Sequence, residues 1–245
     1  MKAIILAAGF GTRLLPLTKD VPKALIKVAG KPLLEILLNK MLASGFDEIA
    51  VNVHHHADKI QSYLDDFMKN HKAKIYVSYE PEILGTGGGI KKMISLIRAD
   101  EPVLVHNVDI ISNINLHELF EKHKRLNSDV SLAVQQRKTD RYLLFDESMQ
   151  FCGRGLPDKQ TKNLIRRPKG NVKFLAFCGI QVINPEIFMN YKRLKFSSID
   201  LYIDQAQKGG DVIGILFDHF YWRDIGKLKE LNAAKKDISE KRFSI

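Results

Sequence analysis

Two long cations follow a glycine-rich turn close to the start of the chain, and these residue types suit phosphate binding. Gly9 and Gly11 come after an apolar run, residues 3–8, that is typical of a buried strand. Glycines at the end of a strand let backbone N–H groups approach a bulky anion closely. Arg13 and Lys23 lie behind the turn and would supply positive charge. The stretch therefore predicts a phosphate site.

The spacing of these glycines excludes two common nucleotide-binding motifs. A Walker A loop needs the pattern GxxxxGK[ST], which the residues after Gly9 do not provide. The dinucleotide fingerprint GxGxxG also fails, because Leu14 stands where its third glycine belongs. The predicted phosphate site is therefore of another kind.

Two aspartates, Asp109 and Asp224, follow predicted strands although they lie far apart in the sequence. Asp109 comes after the apolar run 102–106, and Asp224 comes after Tyr221 and Trp222. Two carboxylates brought together without a proton donor commonly hold a hard divalent cation. The simpler alternative is that one aspartate caps a helix while the other forms a surface ion pair.

Two further clusters could carry chemistry. His54, His55 and His56 suggest a metal site, but neighbours on a strand or turn point in different directions. A strand-to-helix loop at the rim of the sheet is therefore favoured. Glycines recur from Gly85 to Gly89, where they open a predicted helix that runs to residue 97. The amides of that helix start would face ligands at the carboxyl edge of the sheet.

Strands and helices alternate in the first half of the chain. The patterns predict strands at 3–8, 48–53, 74–79 and 102–106, and helices at 33–44, 58–69, 85–97 and 116–126, the last capped by Asn115. Such alternation predicts a parallel sheet with right-handed crossovers. Because ligands bind beyond the carboxyl ends of the strands in such sheets, both glycine stretches and Asp109 should meet in one crevice.

The second half of the chain is richer in hairpin-like patterns. It predicts a strand at 130–136, a hairpin at 142–150 and a polar loop at 153–169. Strands are expected at 171–183 and 212–217, a short helix is expected to begin at Pro185, and longer helices are expected at 198–208 and 227–236. The fold class predicted is α/β, with a mixed, mainly parallel central sheet flanked by helices. Residues 1–236 would form one domain, and residues 237–245 a charged, frayed tail.

Length and composition narrow the possible classes of protein. At 245 residues and 45% hydrophobic, the chain can bury the core of one α/β domain. No 18-residue apolar segment appears, and the apolar N-terminus is too short for a signal peptide. Cys152 and Cys178 lack metal-ligand spacing, which suits a reducing cytoplasm. We therefore expect a cytoplasmic protein without a membrane partner.

A formal net charge of +10 invites the interpretation of a nucleic-acid-binding protein. The lysines and arginines are scattered, however, and no basic segment interleaved with aromatic residues stands out. Binding of an anionic small substrate would account for part of this excess of positive charge, and lysines and arginines on solvated helix faces would account for the rest. No nucleic-acid partner is therefore expected.

From Leu6 to Pro32 the sequence resembles the signature of the sugar-1-phosphate nucleotidyltransferases, also called NDP-sugar pyrophosphorylases. Their pattern, LAAGxGTRLxPLTxxxPKxLxxVxGKP, is matched there with almost no departure. The resemblance extends over nearly the whole chain and is strong again from Phe217 to Leu231. It implies a Rossmann-like, GT-A-like fold and the reaction of a nucleoside triphosphate with a sugar-1-phosphate, which gives an NDP-sugar and pyrophosphate.

The resemblance also implies roles for particular residues. In the family, an aspartate in a [G/N]xD turn and another in a WxDxG turn bind Mg²⁺, and Asp109 and Asp224 match them, although Val108 replaces the usual glycine or aspartate. Arg13 would hold the β,γ-phosphates, and Lys23 would lie near the α-phosphate and the sugar phosphate. Arg13, Lys23 and Asp109 would thus be the catalytic residues.

The remaining site residues are also carried over from the family. Nucleotide binding would fall to Leu6, Ala7, Ala8, Gly9, Gly11, Thr12, Glu80, Gly85, Thr86, Gly87 and Asn107, and sugar binding to Gly153, Gly179 and Arg167. Longer members carry a Glu-Lys-Pro turn for the sugar and its phosphate. Its counterpart here would be Arg166, Arg167 and Pro168, in which the first charge is reversed.

The compact length makes the chain most similar to short family members. Those that act on N-acetylmuramate-1-phosphate with a uridine nucleotide resemble it slightly more than those that act on mannose-1-phosphate with a guanosine nucleotide. A non-catalytic nucleotide-sugar sensor is the alternative of another class, but such a protein would lose a metal ligand or Lys23, and both are present. The sequence allows a monomer or a small homo-oligomer.

Overall fold

A central sheet packed between two sets of helices organises the chain, in a computed structural model that describes residues 1–157 and 161–243. The helices of the described residues are α1 (Leu33–Ala43), α2 (Ala57–Asn70), α3 (Gly85–Leu96), α4 (Leu116–Leu126), α5 (Pro185–Met189), α6 (Ser198–Gln207) and α7 (Leu228–Ser239). Their strands are β1 (Lys2–Leu6), β2 (Lys27–Val28), β3 (Lys31–Pro32), β4 (Glu48–Val53), β5 (Lys74–Tyr79), β6 (Val103–Asn107), β7 (Ile110–Ser112), β8 (Val130–Gln135), β9 (Tyr142–Phe145), β10 (Phe151–Leu156), β11 (Thr161–Leu164), β12 (Lys173–Ile183), β13 (Val212–Leu216) and β14 (Trp222–Asp224).

The main sheet is mixed, and its central strands are mostly parallel. Its strand order runs β11-β10-β9-β12-β6-β1-β4-β5, with β8 paired to both β12 and β13. Strands β6, β1, β4 and β5 are parallel, as are β8 and β13. The long β12 runs antiparallel to β6, β8 and β9. The predicted fold class, an α/β protein with a mixed, mainly parallel sheet, is confirmed.

Strand β1 shows why an apolar run forms the middle of the sheet. Ala3 and Ile5 pack in one buried cluster with residues of α1, α2 and α4, while Ile4 packs on the other side with residues of α3 and α6. Successive side chains of a strand point to opposite faces, so a strand covered on both faces must be apolar throughout. The strand ends where Ala7 begins the glycine turn, which places that turn at the carboxyl edge of the sheet.

The clearest departure from the sequence prediction concerns residues 153–169. A polar loop was expected, but the described part forms strands β10 and β11, which pair in an antiparallel hairpin. Residues 158–160 of that range lie outside the described residues. The pairing register shifts beside Gly153, and the hairpin lies at the edge of the sheet. Edge strands of this kind lack the apolar alternation that marks a half-buried strand, so periodicity does not reveal them.

Two helix ends have identifiable causes. The predicted cap of α4 is confirmed, because the Asn115 side chain accepts a hydrogen bond from the Glu118 N–H at 3.0 Å. The closing helix was predicted to end at residue 236 but continues to Ser239. Asp237 is buried and pairs with Arg223 at 2.6 Å and Arg242 at 3.1 Å, contacts that hold this last turn against β14. Within the described residues, no helix has the length and apolar character needed to cross a membrane.

Candidate active site

The glycine turn after β1 is fixed by neighbouring strands. Its first amide, from Ala7, donates to the Asn52 side-chain oxygen on β4 at 2.7 Å. The Leu6 carbonyl accepts from the Val108 N–H at 3.1 Å. Farther along, the Thr18 hydroxyl donates to the Gly11 carbonyl at 2.9 Å. The turn is therefore held at the ends of three parallel strands, β1, β4 and β6.

A crevice of about 400 Å³ opens beside this turn, and we call it the glycine crevice. It gathers most of the residues expected to bind nucleotide or to take part in catalysis. Of those expected residues, its walls contain Leu6, Ala7, Ala8, Gly9, Gly11, Thr12, Arg13, Lys23, Glu80, Gly85, Thr86, Asn107 and Asp109. The expected convergence at the carboxyl edge is thus observed for both glycine stretches and Asp109.

Lys23 and Asp109 form an ion pair inside this crevice. The Lys23 ammonium donates to Asp109 Oδ2, and the two side chains are only 10% and 21% exposed. Lys23 stands in a short helical turn, Lys23–Leu25, and Asp109 in the tight turn that links β6 to β7. The pairing compensates both charges inside the crevice.

A two-stranded ribbon brings Asp224 next to Asp109. Strands β7 and β14 are antiparallel, with Asp224 opposite Ile110, and the Ile225 N–H donates to the Asp109 carbonyl at 2.7 Å. Burial raises the pKa of Asp224 above its ordinary value, and the charge of Asp109 raises it further. The surrounding cations Lys23, Arg13 and Arg137 act in the opposite direction.

The donor set of this ribbon fits a magnesium ion. The buried Oδ1 of Asp224 has no hydrogen-bond partner among the described residues, so a carboxylate oxygen is available for a ligand bond. Carboxylate oxygen is the donor that Mg²⁺ prefers, and Mg²⁺ commonly uses one or two carboxylates together with water and substrate phosphates. No cluster of three or more candidate metal ligands was found in the described part of the chain, so Asp109 and Asp224 would provide the protein's share.

The Arg13 side chain approaches the Asp109 and Asp224 carboxylates, and it passes Gly226 to do so. A Cβ atom on Gly226 would lie 2.7 Å from Asp224 Oδ1 and 2.9 Å from Arg13 Nη2. Only glycine leaves space for both side chains at these distances. Arg13 therefore projects towards the carboxylate pair, where its charge would meet phosphate groups bound there.

Glu80 lies in the wall of the glycine crevice but has its carboxylate fully engaged. It is 1% exposed, and its two oxygens accept hydrogen bonds from the Asn52 side chain at 2.7 Å and the Leu84 N–H at 2.9 Å. Since Asn52 also binds the Ala7 amide, Glu80 connects the first glycine turn to the start of α3. Its contacts assign it a positioning part in the nucleotide site.

The second glycine stretch packs against protein as much as it faces the crevice. The N–H groups of Gly87 and Gly88 donate to the Phe196 carbonyl at 2.9 and 3.4 Å, which satisfies donors left free at a helix start. The expectation that these amides face a ligand is therefore wrong for both residues. Gly85 and Thr86 do line the glycine crevice, whereas Gly87 faces Phe196.

A second crevice of about 1200 Å³ adjoins the first and shares Arg13, Asn107 and Gly226 with it. We call it the arginine crevice, because its walls include the cationic side chains Arg137, Lys138, Arg141, Arg154, Arg223 and Lys227. Asp224 and the expected sugar-binding residue Gly179 also lie there. The arginine crevice extends from the carboxylate pair towards β10 and offers space for a sugar.

The two other expected sugar-binding residues lie outside both crevices. Gly153 precedes Arg154, and its α-carbon is covered by Asn163 of the neighbouring strand. Arg167 is exposed and lines neither crevice. Its neighbour Arg166 binds the side chain of Gln150 and, at 3.1 Å, the carbonyl of Gly210, near the amino end of β13. That end of the sheet is opposite to the site, so this turn does not approach the carboxylates.

The three adjacent histidines form the expected strand-to-helix loop at the rim of the sheet. His54 hydrogen-bonds the Glu80 carbonyl at 2.7 Å, and His56 the Lys19 carbonyl at 3.1 Å. The Phe10 ring lies edge-on to His54, with 5.1 Å between the ring centres. His54 and His56 therefore have separate backbone partners, while the His55 and His56 rings lie 3.9 Å apart between centres, and the loop supports the glycine turn from outside.

Sequence reasoning missed Asn52, Arg137 and Trp222 as parts of the site. The Arg137 guanidinium lies 3.6 Å from the centre of the Trp222 ring, in the wall of the arginine crevice. A polar residue within an otherwise apolar strand could have indicated Asn52. Nothing local distinguishes Arg137, because its position depends on packing between β8 and β14.

Comparison with known proteins gives a consistent picture. A family profile described as "Nucleotidyl transferase" matches residues 2–241. The chain is 31% identical to an N-acetylmuramate alpha-1-phosphate uridylyltransferase of Caulobacter vibrioides, with 97% of each chain covered. It is 30% identical to mannose-1-phosphate guanylyltransferase 1 of Arabidopsis thaliana, of which it spans 62% while 94% of this chain is covered.

Solved structures share the fold at lower sequence identity. A putative glucose-1-phosphate thymidylyltransferase from Bacillus anthracis superposes with a TM-score of 0.79 at 19% identity, covering 100% of this chain and 98% of the other. The HddC protein from Yersinia pseudotuberculosis, solved in complex with GMP-PN, gives a TM-score of 0.75 at 24% identity, with 97% and 99% covered.

Proposed function

Because the chain belongs to the nucleotidyl transferase family, we propose that it is a magnesium-dependent enzyme that joins the nucleotidyl group of UTP to N-acetylmuramate-1-phosphate. The coarser activity, nucleotidyl transfer to a sugar-1-phosphate, follows from the family membership itself. The metal, the base and the sugar are the proposed part. A reducing cytoplasm is the proposed location, supported by the two free, buried cysteines.

The reaction balances without a general base. A phosphate oxygen of the sugar-1-phosphate attacks the α-phosphorus of the nucleotide, and the bond from that phosphorus to the bridging oxygen breaks. The electron pair of the broken bond leaves with pyrophosphate. Since the attacking phosphate is already ionised at neutral pH, no proton has to be removed from it, and the site needs no histidine paired with a nucleophile.

The difficulty of the reaction is the meeting of two anions. Two unit charges about 4 Å apart repel by about 4 kcal/mol at an effective dielectric constant of 20. Arg13 and Lys23 would offset part of this repulsion, Arg13 on the departing pyrophosphate and Lys23 on the transferred phosphate. When bound to Asp109 and Asp224, Mg²⁺ would supply additional positive charge to the phosphates.

The observation that carries this proposal is the convergence of the glycine turn, Arg13, Lys23 and the two aspartates. These groups come from four separate segments, yet they border two adjoining crevices at the carboxyl edge of the sheet. A surface ion pair or helix cap would not require Asp224 to be half-buried with an unpartnered oxygen. The structural alternative for the two aspartates is therefore disfavoured.

The acidic sugar is favoured by the charge of the arginine crevice. N-Acetylmuramate carries a carboxylate that mannose lacks, and the crevice wall contains Lys138 and Arg141 as well as Arg154, although Arg154 already pairs with Asp200 at 3.4 Å and Asp140 lies in the same wall. The relative from Caulobacter vibrioides also matches this chain from end to end, whereas the plant mannose-1-phosphate enzyme is longer. Mannose-1-phosphate with GTP is the second candidate.

Pyrophosphate release from pairs of nucleotides and sugar phosphates tests the proposal. UTP with N-acetylmuramate-1-phosphate should be the best pair, ahead of GTP with mannose-1-phosphate, and chelation of divalent cations should abolish release. Asp109→Asn and Asp224→Asn should each lower turnover by about 10²-fold or more. Asp100→Asn, which changes an exposed aspartate away from the site, is the matched control.

Three results would contradict parts of the proposal. Faster release with GTP and mannose-1-phosphate would replace the substrate pair. Near-native turnover of either aspartate variant at limiting Mg²⁺ would remove that residue from the metal site. Binding of a nucleotide-sugar without any pyrophosphate release from the whole panel would favour the non-catalytic sensor.

A further inference from the structure

Arg137 and Trp222 form a pair that the nucleotidyl-transfer site as assigned so far does not use. The guanidinium carbon of Arg137 lies over the indole ring, 3.6 Å from its centre. Arg137 Nη2 donates to the Phe177 carbonyl at 2.7 Å, and Trp222 Nε1 donates to the Cys178 carbonyl at 2.8 Å. Both side chains are thus anchored to consecutive carbonyls of β12, which fixes the guanidinium in one plane.

Among the described residues, the charge of Arg137 is compensated only through space, by Asp224, whose negative charge raises the pKa of Arg137. No carboxylate of the described residues forms an ion pair with it, and its buried Nε has no hydrogen-bond partner. The neighbouring Cys178 thiol does not compensate it either, because burial raises the pKa of that thiol to about 12 and leaves it neutral. Burial lowers the pKa of Arg137, but a guanidinium stays protonated in proteins. A partly buried cation without a direct ion pair is unfavourable, so an external anion within hydrogen-bond reach would stabilise it.

The position of the pair identifies the anion. Residues 222 and 224 of β14 point to the same face of the ribbon, so Trp222 and the carboxylate of Asp224 face the same side. Arg137, Trp222 and Asp224 all lie in the wall of the arginine crevice. Arg13 and Lys23 are the proposed partners of the nucleotide and transferred phosphates and both line the glycine crevice, whereas Arg137 lines only the arginine crevice. The other phosphate of the reaction must approach from that side.

We propose that Arg137, held over the Trp222 ring, binds the phosphate of the sugar-1-phosphate. The inference rests on the proposed function and deepens it, because it names the residue that binds the phosphate of the acceptor. The turn of Arg166 and Arg167 lies at the opposite end of the sheet and therefore does not reach that phosphate. A guanidinium fixed in one plane presents a fork of N–H donors that matches two phosphate oxygens. Lys138, Arg141 and Arg154 lie farther along the crevice and are left for the sugar.

Trp222 provides a direct readout, because it is the only tryptophan of the chain. Its fluorescence should change when mannose-1-phosphate or N-acetylmuramate-1-phosphate is added, and calorimetry on the same samples gives the dissociation constants. Free mannose and free N-acetylmuramate should bind far more weakly, since they lack the phosphate.

Arg137→Met removes the charge and keeps an unbranched apolar side chain on the indole. It should raise the dissociation constant and the KM for both sugar-1-phosphates by about 10- to 100-fold, the range expected for a charge-assisted hydrogen bond. The KM for the nucleotide should change by less than about twofold. Arg137→Lys should restore part of the affinity. Arg125→Met, which removes the same charge from an exposed position on α4, is the control.

Several outcomes would overturn the assignment. Unchanged affinity of Arg137→Met for both sugar-1-phosphates, or an equal loss for nucleotide and sugar phosphate, would show a structural part only. A loss confined to N-acetylmuramate-1-phosphate would make Arg137 a reader of the sugar carboxylate. If Arg137→Met fails to fold, the Arg137→Lys variant decides. Wild-type affinity of that variant for the sugar-1-phosphates, together with a wild-type ratio of KM to kcat, would contradict phosphate binding by the guanidinium fork. If the wild type releases no pyrophosphate from any pair, the proposed function fails, while the fluorescence titration still decides whether Arg137 binds a sugar phosphate.

Discussion

Single residues decide the electrostatics of this site. Asp224 is held in a half-buried position beside a second carboxylate, and burial and that neighbouring charge both raise its pKa. Three cations from different segments offset the negative charge. Gly226 allows one of these approaches, because a side chain there would separate Arg13 from Asp224. The site is thus prepared for anions before substrate binds.

Arg13 should act mainly on turnover. The leaving pyrophosphate gains negative charge in the transition state, so Arg13→Ala should lower kcat by about 10²-fold or more and change nucleotide affinity less. Arg13→Lys should rescue little, since an ammonium does not reproduce the planar fork. Steady-state kinetics with varied nucleotide would measure this, and a variant that only raises the KM for nucleotide would contradict it.

At the scale of elements, two short contacts hold the site together. The β7–β14 ribbon places one aspartate beside the other. The start of α3 is joined to the segment before α6, where the Thr86 hydroxyl accepts from the Ser198 N–H at 2.9 Å and the Phe196 carbonyl accepts from two glycine amides. The glycines are needed for this close packing, since a Cβ on Gly88 would lie 2.2 Å from the Leu194 carbonyl oxygen.

A methyl group at this contact should destabilise the protein. We expect Gly88→Ala to lower the free energy of unfolding by about 1–3 kcal/mol, because the backbone of residue 194 has to move and the cost of overpacking exceeds the gain in helix propensity. Gly9→Ala is the matched control, since a Cβ there meets nothing within 4 Å. Denaturant titration measures both, and an unchanged midpoint for Gly88→Ala would show that this packing is loose.

For the whole molecule, the distribution of charge matters more than its sum. The net charge is +10, but many exposed lysines lie on helix faces beside acidic partners one turn away. Lys122 pairs with Glu118 at 2.7 Å, and Lys236 with Glu240 at 3.7 Å. Such pairs contribute little and are screened by salt. The arginine crevice also contains cations for which no ion pair with a described carboxylate is seen, among them Arg137 and Lys138.

Surface and crevice lysines should therefore differ in their effect on catalysis. Lys235→Gln combined with Lys236→Gln should leave turnover within about twofold, whereas Lys23→Ala should lower it by about 10²-fold or more. Binding to DNA or RNA should be weak and should fall steeply with salt. Tight oligonucleotide binding that survives Lys23→Ala, without pyrophosphate release from any substrate pair, would support the nucleic-acid interpretation instead.

Local sequence determined the family, the fold class and most elements of this protein. The stretch from Leu6 to Pro32 specifies a glycine turn at a strand end, and apolar periodicity specifies the buried strands and amphipathic helices. These features depend on neighbours within a few residues, which a pattern records. The edge hairpin of β10 and β11 was missed because solvent on its exposed side removes that pattern.

Only the tertiary structure decided how distant groups share their hydrogen bonds and charges. The two oxygens of Glu80 are bound by Asn52 and Leu84, and the amides of Gly87 and Gly88 are bound by Phe196. Arg137 became part of the site only because β12 anchors it against Trp222. Residue type gives the capacity to bind a phosphate or a metal, but packing between segments far apart in sequence decides which donors are already satisfied and which are left for a ligand.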